Sequence, residues 1–169
     1  MSGAVSSRGH THEPTVYLQP TELENRATRL FHASPERVFR FFTDPSTAPY
    51  VFATDPKKVK IERMEVRAGG RYSISVELPD RSTVRFTGEY REVEPPSRVV
   101  NTFEVDSIPG VVALETDLFE PIGESTRVTV TWKYERPEDR DRMGGPEEVG
   151  PALREMWDNV AEILAKGEA

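Results

Sequence analysis

Cysteine is absent from this chain of 169 residues, which excludes disulfides, thiolate nucleophiles and thiolate zinc sites together. Basic charge is also scarce: 22 Lys and Arg stand against 29 Asp and Glu, a formal net charge of -7. Binding to a phosphate backbone draws on clustered cations. The one tight cluster, Lys57, Lys58 and Lys60, reads as a solvated approach to a strand, so no nucleic-acid partner is expected. No apolar run approaches the roughly 20 residues of a membrane span, and no basic stretch leads into an apolar segment at the start. The expectation is a cytoplasmic protein without a membrane span. Phosphate-cradling glycine loops with Lys, nucleophile elbows and paired-histidine zinc motifs are missing as well, so no cofactor and no metal site is expected.

What is present has a clear order. Residues 1–22, rich in Ser, Thr, Gly and His with Pro14 and Pro20, hold no lasting period and read as a flexible tail; His10 and His12 there lack a third fixed ligand. Residues 23–169 read as one domain, long enough to bury a real core. A first strand runs from about Leu23 to His32. Ser34-Pro35-Glu36 then starts a helix: a side-chain cap, a proline suited to the first turn and an acid at the positive dipole end. Val38, Phe39 and Phe42 form its apolar stripe, Asp44-Pro45 ends it, and a short second helical turn carries Tyr50-Val51-Phe52.

From Val59 to Glu135 the alternation reads as six strands, broken at Gly69-Gly70, Pro79-Asp80, Pro95-Pro96, Pro109-Gly110 and Pro121 to Gly123. Neighbours can pair as an antiparallel meander. Gly69-Gly70 fits a two-residue hairpin loop. Apolar phase slips between Ile61 and Met64 and between Tyr90 and Val93, which predicts bulges or bends at both places. After a polar loop over residues 136–150, Leu153, Met156, Trp157, Val160, Ile163 and Leu164 recur at helical spacing, ending at Gly167. Seven strands at about 4.8 Å span about 33 Å, whereas one helix is about 10 to 12 Å across. A flat sheet would stay partly uncovered, at about 25 cal/mol per Å² of wet apolar surface; a sheet curved around the long C-terminal helix avoids that.

This α+β order of strand, two short helices, six-strand meander and long helix resembles the helix-grip fold of the START and birch-pollen-allergen superfamily, also called SRPBCC. Arg29 to Phe39 with Thr43-Asp44-Pro45, the pair Gly69-Gly70, the phrase from Gly88 to Val100 and Thr126 to Thr129 resemble the branch related to the activator of the heat-shock-protein-90 ATPase. The resemblance spans about Leu23 to Lys166. Two positions depart from that branch: Tyr50-Val51-Phe52 stands where tryptophan is usual, and Asp80-Arg81 replaces an Asp-Gly turn. The first reshapes one end of any cavity, so a relative's ligand does not transfer.

The resemblance implies a cavity between sheet and helix, used in various relatives for lipids, sterols, plant metabolites or polyketides. Strand phase and helix stripe assign its walls to Phe39, Phe42, Tyr72, Ile74, Phe86, Tyr90, Asn101, Phe103, Leu114, Thr116, Val130, Trp132, Tyr134, Met156, Trp157 and Val160. Glu115 and Asp117 alternate against Leu114, Thr116 and Leu118 and are read as a solvent-facing pair. His32, the one histidine of the domain, has no visible nucleophile or carboxylate partner. No catalytic residue is assigned. The leading expectation is therefore a module that binds a small apolar or aromatic ligand. A cavity enzyme of the cyclase, dehydratase or hydrolase type is one alternative, and an inward ionisable group would favour it. A protein-binding role like that of the chaperone activator is the other, and an exposed apolar patch would favour that.

Overall fold

A computed structural model describes residues 14–167 of the chain; His10 and His12 lie outside them. One eight-stranded antiparallel sheet dominates. Its strands are β1 (Val16–Thr21), β2 (Glu24–Phe31), β3 (Val59–Met64), β4 (Arg71–Glu77), β5 (Thr83–Glu94), β6 (Arg98–Val105), β7 (Ala113–Ile122) and β8 (Ser125–Lys133), in the spatial order β1-β2-β8-β7-β6-β5-β4-β3. Between β2 and β3 come helices α1 (Pro35–Thr43) and α2 (Pro49–Phe52) and a single 3₁₀ turn at Pro56–Lys58; α3 (Pro137–Arg142) and the long α4 (Pro146–Ala165) follow β8.

The local chemistry explains most boundaries. Ser34 caps α1 by accepting from the Arg37 N–H, with Pro35 in the first turn and Asp44 at the other end. Gly167, at φ 74°, closes α4 with a bond from its N–H to the Leu164 carbonyl. Both predicted slips are present: the β3/β4 register shifts between Ile61 and Arg63, and the β5/β6 register between Tyr90 and Glu92. Such irregularities bend the bulged strand and strengthen its twist. Lys57 and Lys58 sit in the 3₁₀ turn and Lys60 is exposed on edge strand β3, where charge discourages edge-to-edge pairing.

Three expectations need correction. The sheet has eight strands because Val16–Thr21, inside the stretch read as a tail, forms a hairpin with β2; three alternating residues are too short a run to reveal a strand. The Gly69-Gly70 loop is longer than a two-residue turn, with six residues between β3 and β4. Only Gly69 takes a positive φ, 85°. Its N–H donates to the Tyr90 carbonyl at 2.8 Å, and the Tyr90 N–H returns a bond to the Gly70 carbonyl at 2.8 Å, so the loop is stitched to β5. Finally, the segment over 136–150 is largely helical: α3 occupies part of it, and α4 begins at Pro146 with Pro151 inside. Proline within a helix removes one bond to the preceding turn. Here the deprived carbonyl belongs to exposed Glu147, where water can replace the bond.

The sheet packs its concave face on α4. Ala27, Phe31, Phe119, Val128 and Val130 from the strands form one buried cluster with Leu153, Trp157, Val160 and Leu164 of the helix and Val38 and Phe39 of α1. Arg29, fully buried on the inward face of β2, pairs with Asp158 of α4 and donates to the Thr15 hydroxyl at 3.1 Å. Arg37 of α1 donates to the Leu164 carbonyl at the end of α4. Helix and sheet are thus clamped by charge as well as by apolar burial.

Candidate functional site

The interior is not filled throughout. A cavity of about 390 Å³ lies between the sheet and α4, within the range of small-molecule sites. Of the residues expected at its walls, Phe42, Tyr72, Phe86, Tyr90, Asn101, Phe103, Val130, Trp132, Tyr134, Met156 and Trp157 line it. Phe39, Ile74 and Val160 point inward but are buried in the packed core instead. Leu114 and Thr116 do not reach the cavity at all: Leu114 is 40% exposed on the opposite face.

That last error has a specific cause. Strand β7 turns its odd-numbered residues inward, with Ala113 and Phe119 buried at the ends and Glu115 and Asp117 between them on the cavity wall. The solvent-facing assignment of this pair is therefore reversed. Counting apolar residues along β7 favoured Leu114 and Leu118, but the neighbouring strand holds the stronger signal. Gly123-Glu124 is a two-residue turn that sets Ile122 opposite Ser125 and hence Glu115 opposite Trp132. Directly paired residues of antiparallel strands share a face, so the clean phase of β8 dictates that of β7.

The register builds two transverse rows across the inward face of the sheet, and the middle of each borders the cavity. Tyr90, Asn101, Glu115, Trp132 and Asn25 are successive cross-strand partners on β5, β6, β7, β8 and β2. In this polar row the Trp132 indole N–H donates to Glu115 Oε1 at 2.9 Å, and the Asn101 amide donates to the Tyr72 hydroxyl at 3.2 Å and the Thr102 carbonyl at 2.9 Å. Beyond it, Gln19 of β1 donates to Asn25 Oδ1 at 3.0 Å. The adjacent row is Val93, Val99, Asp117, Val130, Ala27 and Tyr17. Asp117 thus has valines on both sides. Its one polar partner within reach is Glu115, two residues along the same strand, and its Oδ1 is buried with no hydrogen bond.

Electrostatics follow from this placement. Burial raises the Glu115 carboxyl above the usual carboxylate range, although its polar neighbours Asp117, Trp132 and Asn101 pull it back. Asp117 is raised well above that range, first by burial, then by the Glu115 charge, with their shared hydrogen bond acting in the same direction. Two carboxyls in contact in an apolar setting do not both ionise readily, so the pair holds a proton more tightly than two solvated carboxyls would. Their remaining accessible surface belongs to the cavity they border.

Tyrosines complete the floor. Gly88 lies opposite Tyr72, and a Cβ there would come within 2.6 Å of its ring; without one, the ring lies over the strand and its hydroxyl donates to the Thr102 carbonyl at 2.7 Å. Tyr72 and Tyr90 are 5.4 Å apart between ring centres. Burial raises the phenols of Tyr72, Tyr90 and Tyr134 above their ordinary range and lifts Tyr17 to about 12. Tyr17, 6.3 Å from Trp132, comes from the strand that periodicity missed. The cavity's lining contains two carboxyls and no Lys, Arg or His. His32 lies elsewhere, its Nδ1 2.8 Å from the Ser125 hydroxyl. Val51 and Phe52 of α2 stand at the cavity. Among the described residues no cluster of three His, Asp or Glu could hold a metal ion, and no helix is long and apolar enough to cross a membrane.

The family model described as Activator of Hsp90 ATPase homolog 1-like protein matches residues 32–166. No curated protein matches the chain. Among solved structures, a Rhodobacter sphaeroides protein is similar with a TM-score of 0.79 at 22% identity, covering 91% of this chain and 99% of its own. An Arthrobacter aurescens protein follows with a TM-score of 0.77 at 20% identity, over 89% and 91% of the two chains. A Mycobacterium smegmatis protein gives 0.71 at 20% identity, over 87% and 96%. At these identities the likeness carries the helix-grip fold.

Proposed function

The chain belongs to the Activator of Hsp90 ATPase homolog 1-like family, and on that footing we propose that it binds a small, mostly apolar or aromatic molecule between the sheet and α4. The carrying observation is the cavity of about 390 Å³, walled by aliphatic and aromatic side chains around one compact polar floor. Apolar walls give affinity through burial, and a few fixed polar groups give orientation. Helix-grip relatives commonly hold hydrophobic ligands, and the share of this interior left unfilled agrees with that use.

Amide and indole NMR spectra recorded during titration with fatty acids, sterols, flavonoids and aromatic polyketides test the reading. Saturable shifts at the Trp132 and Trp157 indoles are expected for at least one class. Unmoved indoles across the whole panel would count against it.

A second reading has its own support. Two carboxyls of raised proton affinity, side by side at the wall of a largely apolar cavity, are suited to pass a proton to and from a bound molecule. Under that reading the ligand is a substrate, and Asp117→Asn keeps binding while abolishing turnover. Protein docking has less on its side: the exposed large apolar residues Val16, Leu18, Leu78, Val112, Leu114 and Ile122 are spread over β1, the end of β4 and both ends of β7.

A further inference from the structure

The floor of the cavity also discriminates among ligands of similar size. Glu115 is already served by the Trp132 indole and by Asp117. Asp117, set between Val99 and Val130, has a buried oxygen that receives no donor. A buried acceptor left without a donor is destabilising, and more so when charged. The carboxyl pair faces no cation among the residues that line the cavity. Around it stand Tyr72, Tyr90 and Trp132, whose ring faces attract a cation. The group that answers all three conditions is an ammonium: it donates hydrogen bonds, balances the charge and fits an aromatic surround. A hydroxyl answers only the first, and a carboxylate none.

We propose that the cavity selects an apolar, ring-bearing amine, its protonated nitrogen seated on the Asp117 and Glu115 carboxyls and its apolar body against the aromatic and aliphatic walls. This rests on the cavity reading above and specifies its ligand class. Tyr72 is held for the task by its bond to the Thr102 carbonyl and by the Asn101 amide, so the aromatic surround is in place before a ligand arrives. Preorganisation of this kind lowers the ordering cost of binding.

The test uses the full chain near neutral pH and three matched probes: 2-(1-naphthyl)ethylamine, 2-(1-naphthyl)ethanol and 1-naphthylacetate. Calorimetric titration supplies affinity, and the indole NMR signal of Trp132 reports where each probe binds. The amine is expected to bind at least about tenfold more tightly than the alcohol, equivalent to about 1.4 kcal/mol, with the carboxylate weakest. Asp117→Asn and Glu115→Gln, both near-isosteric, should each remove most of the amine's advantage and leave alcohol binding within about threefold. Equal binding of amine and alcohol to the unaltered protein overturns the amine assignment while leaving the cavity reading intact. So does an amine preference that survives both substitutions. If no probe binds and the indole stays still, the cavity reading falls together with the assignment. The comparison of probes on the unaltered chain does not depend on how either variant folds.

Discussion

Two ends of the same interior are built on opposite principles. Under α1 the space is full: Phe119 meets Phe39 at 5.2 Å and Phe42 at 5.6 Å, while Phe31 and Trp157 lie 5.8 Å apart, largely at tilted or edge-on angles. Ring pairs of that geometry add about 0.5 to 1.5 kcal/mol each beyond the area they bury. Toward β4, β5 and β6 the same sheet and the same helix border a cavity with two carboxyls on its floor. One strand serves both ends, since β7 contributes Phe119 to the packed region and Glu115 and Asp117 to the hollow one. Stability is therefore concentrated where the interior is closed. The hollow end gives up packing and carries buried carboxyls, a combination natural proteins tolerate chiefly where a site needs it.

The largest effect that would separate the two ends comes from Phe119→Ala. Phe119 is 1% exposed, and truncating a buried phenylalanine costs about 3 to 5 kcal/mol through lost transfer energy and an unfilled cavity. Chemical denaturation should show a loss of that order. A cost below about 1 kcal/mol would mean that the supposedly packed end is as loose as the other. Next in size is Asp158→Ala. It deprives the buried Arg29 of its carboxylate, and leaving a buried charge with fewer partners costs about 2 to 3 kcal/mol; half of the Asp158 side chain is exposed, which places the effect toward the lower figure. Double substitution with Phe119→Ala measures whether clamp and ring cluster act as one unit.

The packed end was legible in the sequence and the hollow end was only half so. Phe31, Val38, Phe39, Val128, Trp157 and Leu164 follow simple periods because each faces a dry core, and burial of apolar surface is what those periods report. The slips at Ile61 and Tyr90 were legible for the same reason: a bulge shifts an apolar phase. At the site the rule inverts. Glu115 and Asp117 face inward because the β7/β8 register puts them there, not because of their own hydrophobicity. An average over one strand assigns them to water, whereas propagating the phase of β8 through the Gly123-Glu124 turn assigns them correctly. Tyr17 escaped because β1 is an added outer strand whose inward residues are few. Nothing periodic reveals the size of an unfilled volume, which depends on how far helix and sheet stand apart.

A smaller and opposite effect belongs to the carboxyl pair. Ordinary ion-paired acids have depressed values in the native state and make stability rise with pH; here both acids are raised by burial. The native state therefore keeps protons that the unfolded chain has released. The pair's contribution to stability is greatest below the ordinary carboxylate range, near 4, and falls as pH climbs toward the native values, by about 1.4 kcal/mol per pH unit for each retained proton. Asp117→Asn should flatten that slope and leave the variant more stable than the unaltered chain in mildly alkaline solution. Urea unfolding across a pH series measures both slopes. Superimposable slopes would show that the pair ionises freely, and the hollow end would then be wetter than its lining implies.

The mildest prediction lies outside both ends and serves as their control. Arg81, in the β4/β5 turn, is the one non-glycine residue with positive φ among those described, at 71°. The turn is held by the Arg81 N–H on the Leu78 carbonyl and by Asp80 Oδ1, which accepts from the Ser82 N–H and hydroxyl. A side chain in the left-handed region costs about 1 to 2 kcal/mol, and glycine recovers part of this at the cost of extra freedom in the unfolded chain. Arg81→Gly should therefore stabilise the protein by about 0.5 to 1 kcal/mol. Because the turn touches neither the ring cluster nor the cavity floor, probe affinities should stay constant while the unfolding midpoint rises. A change in amine or alcohol binding in this variant would mean that global stability, rather than the carboxyl pair, governs affinity at the hollow end.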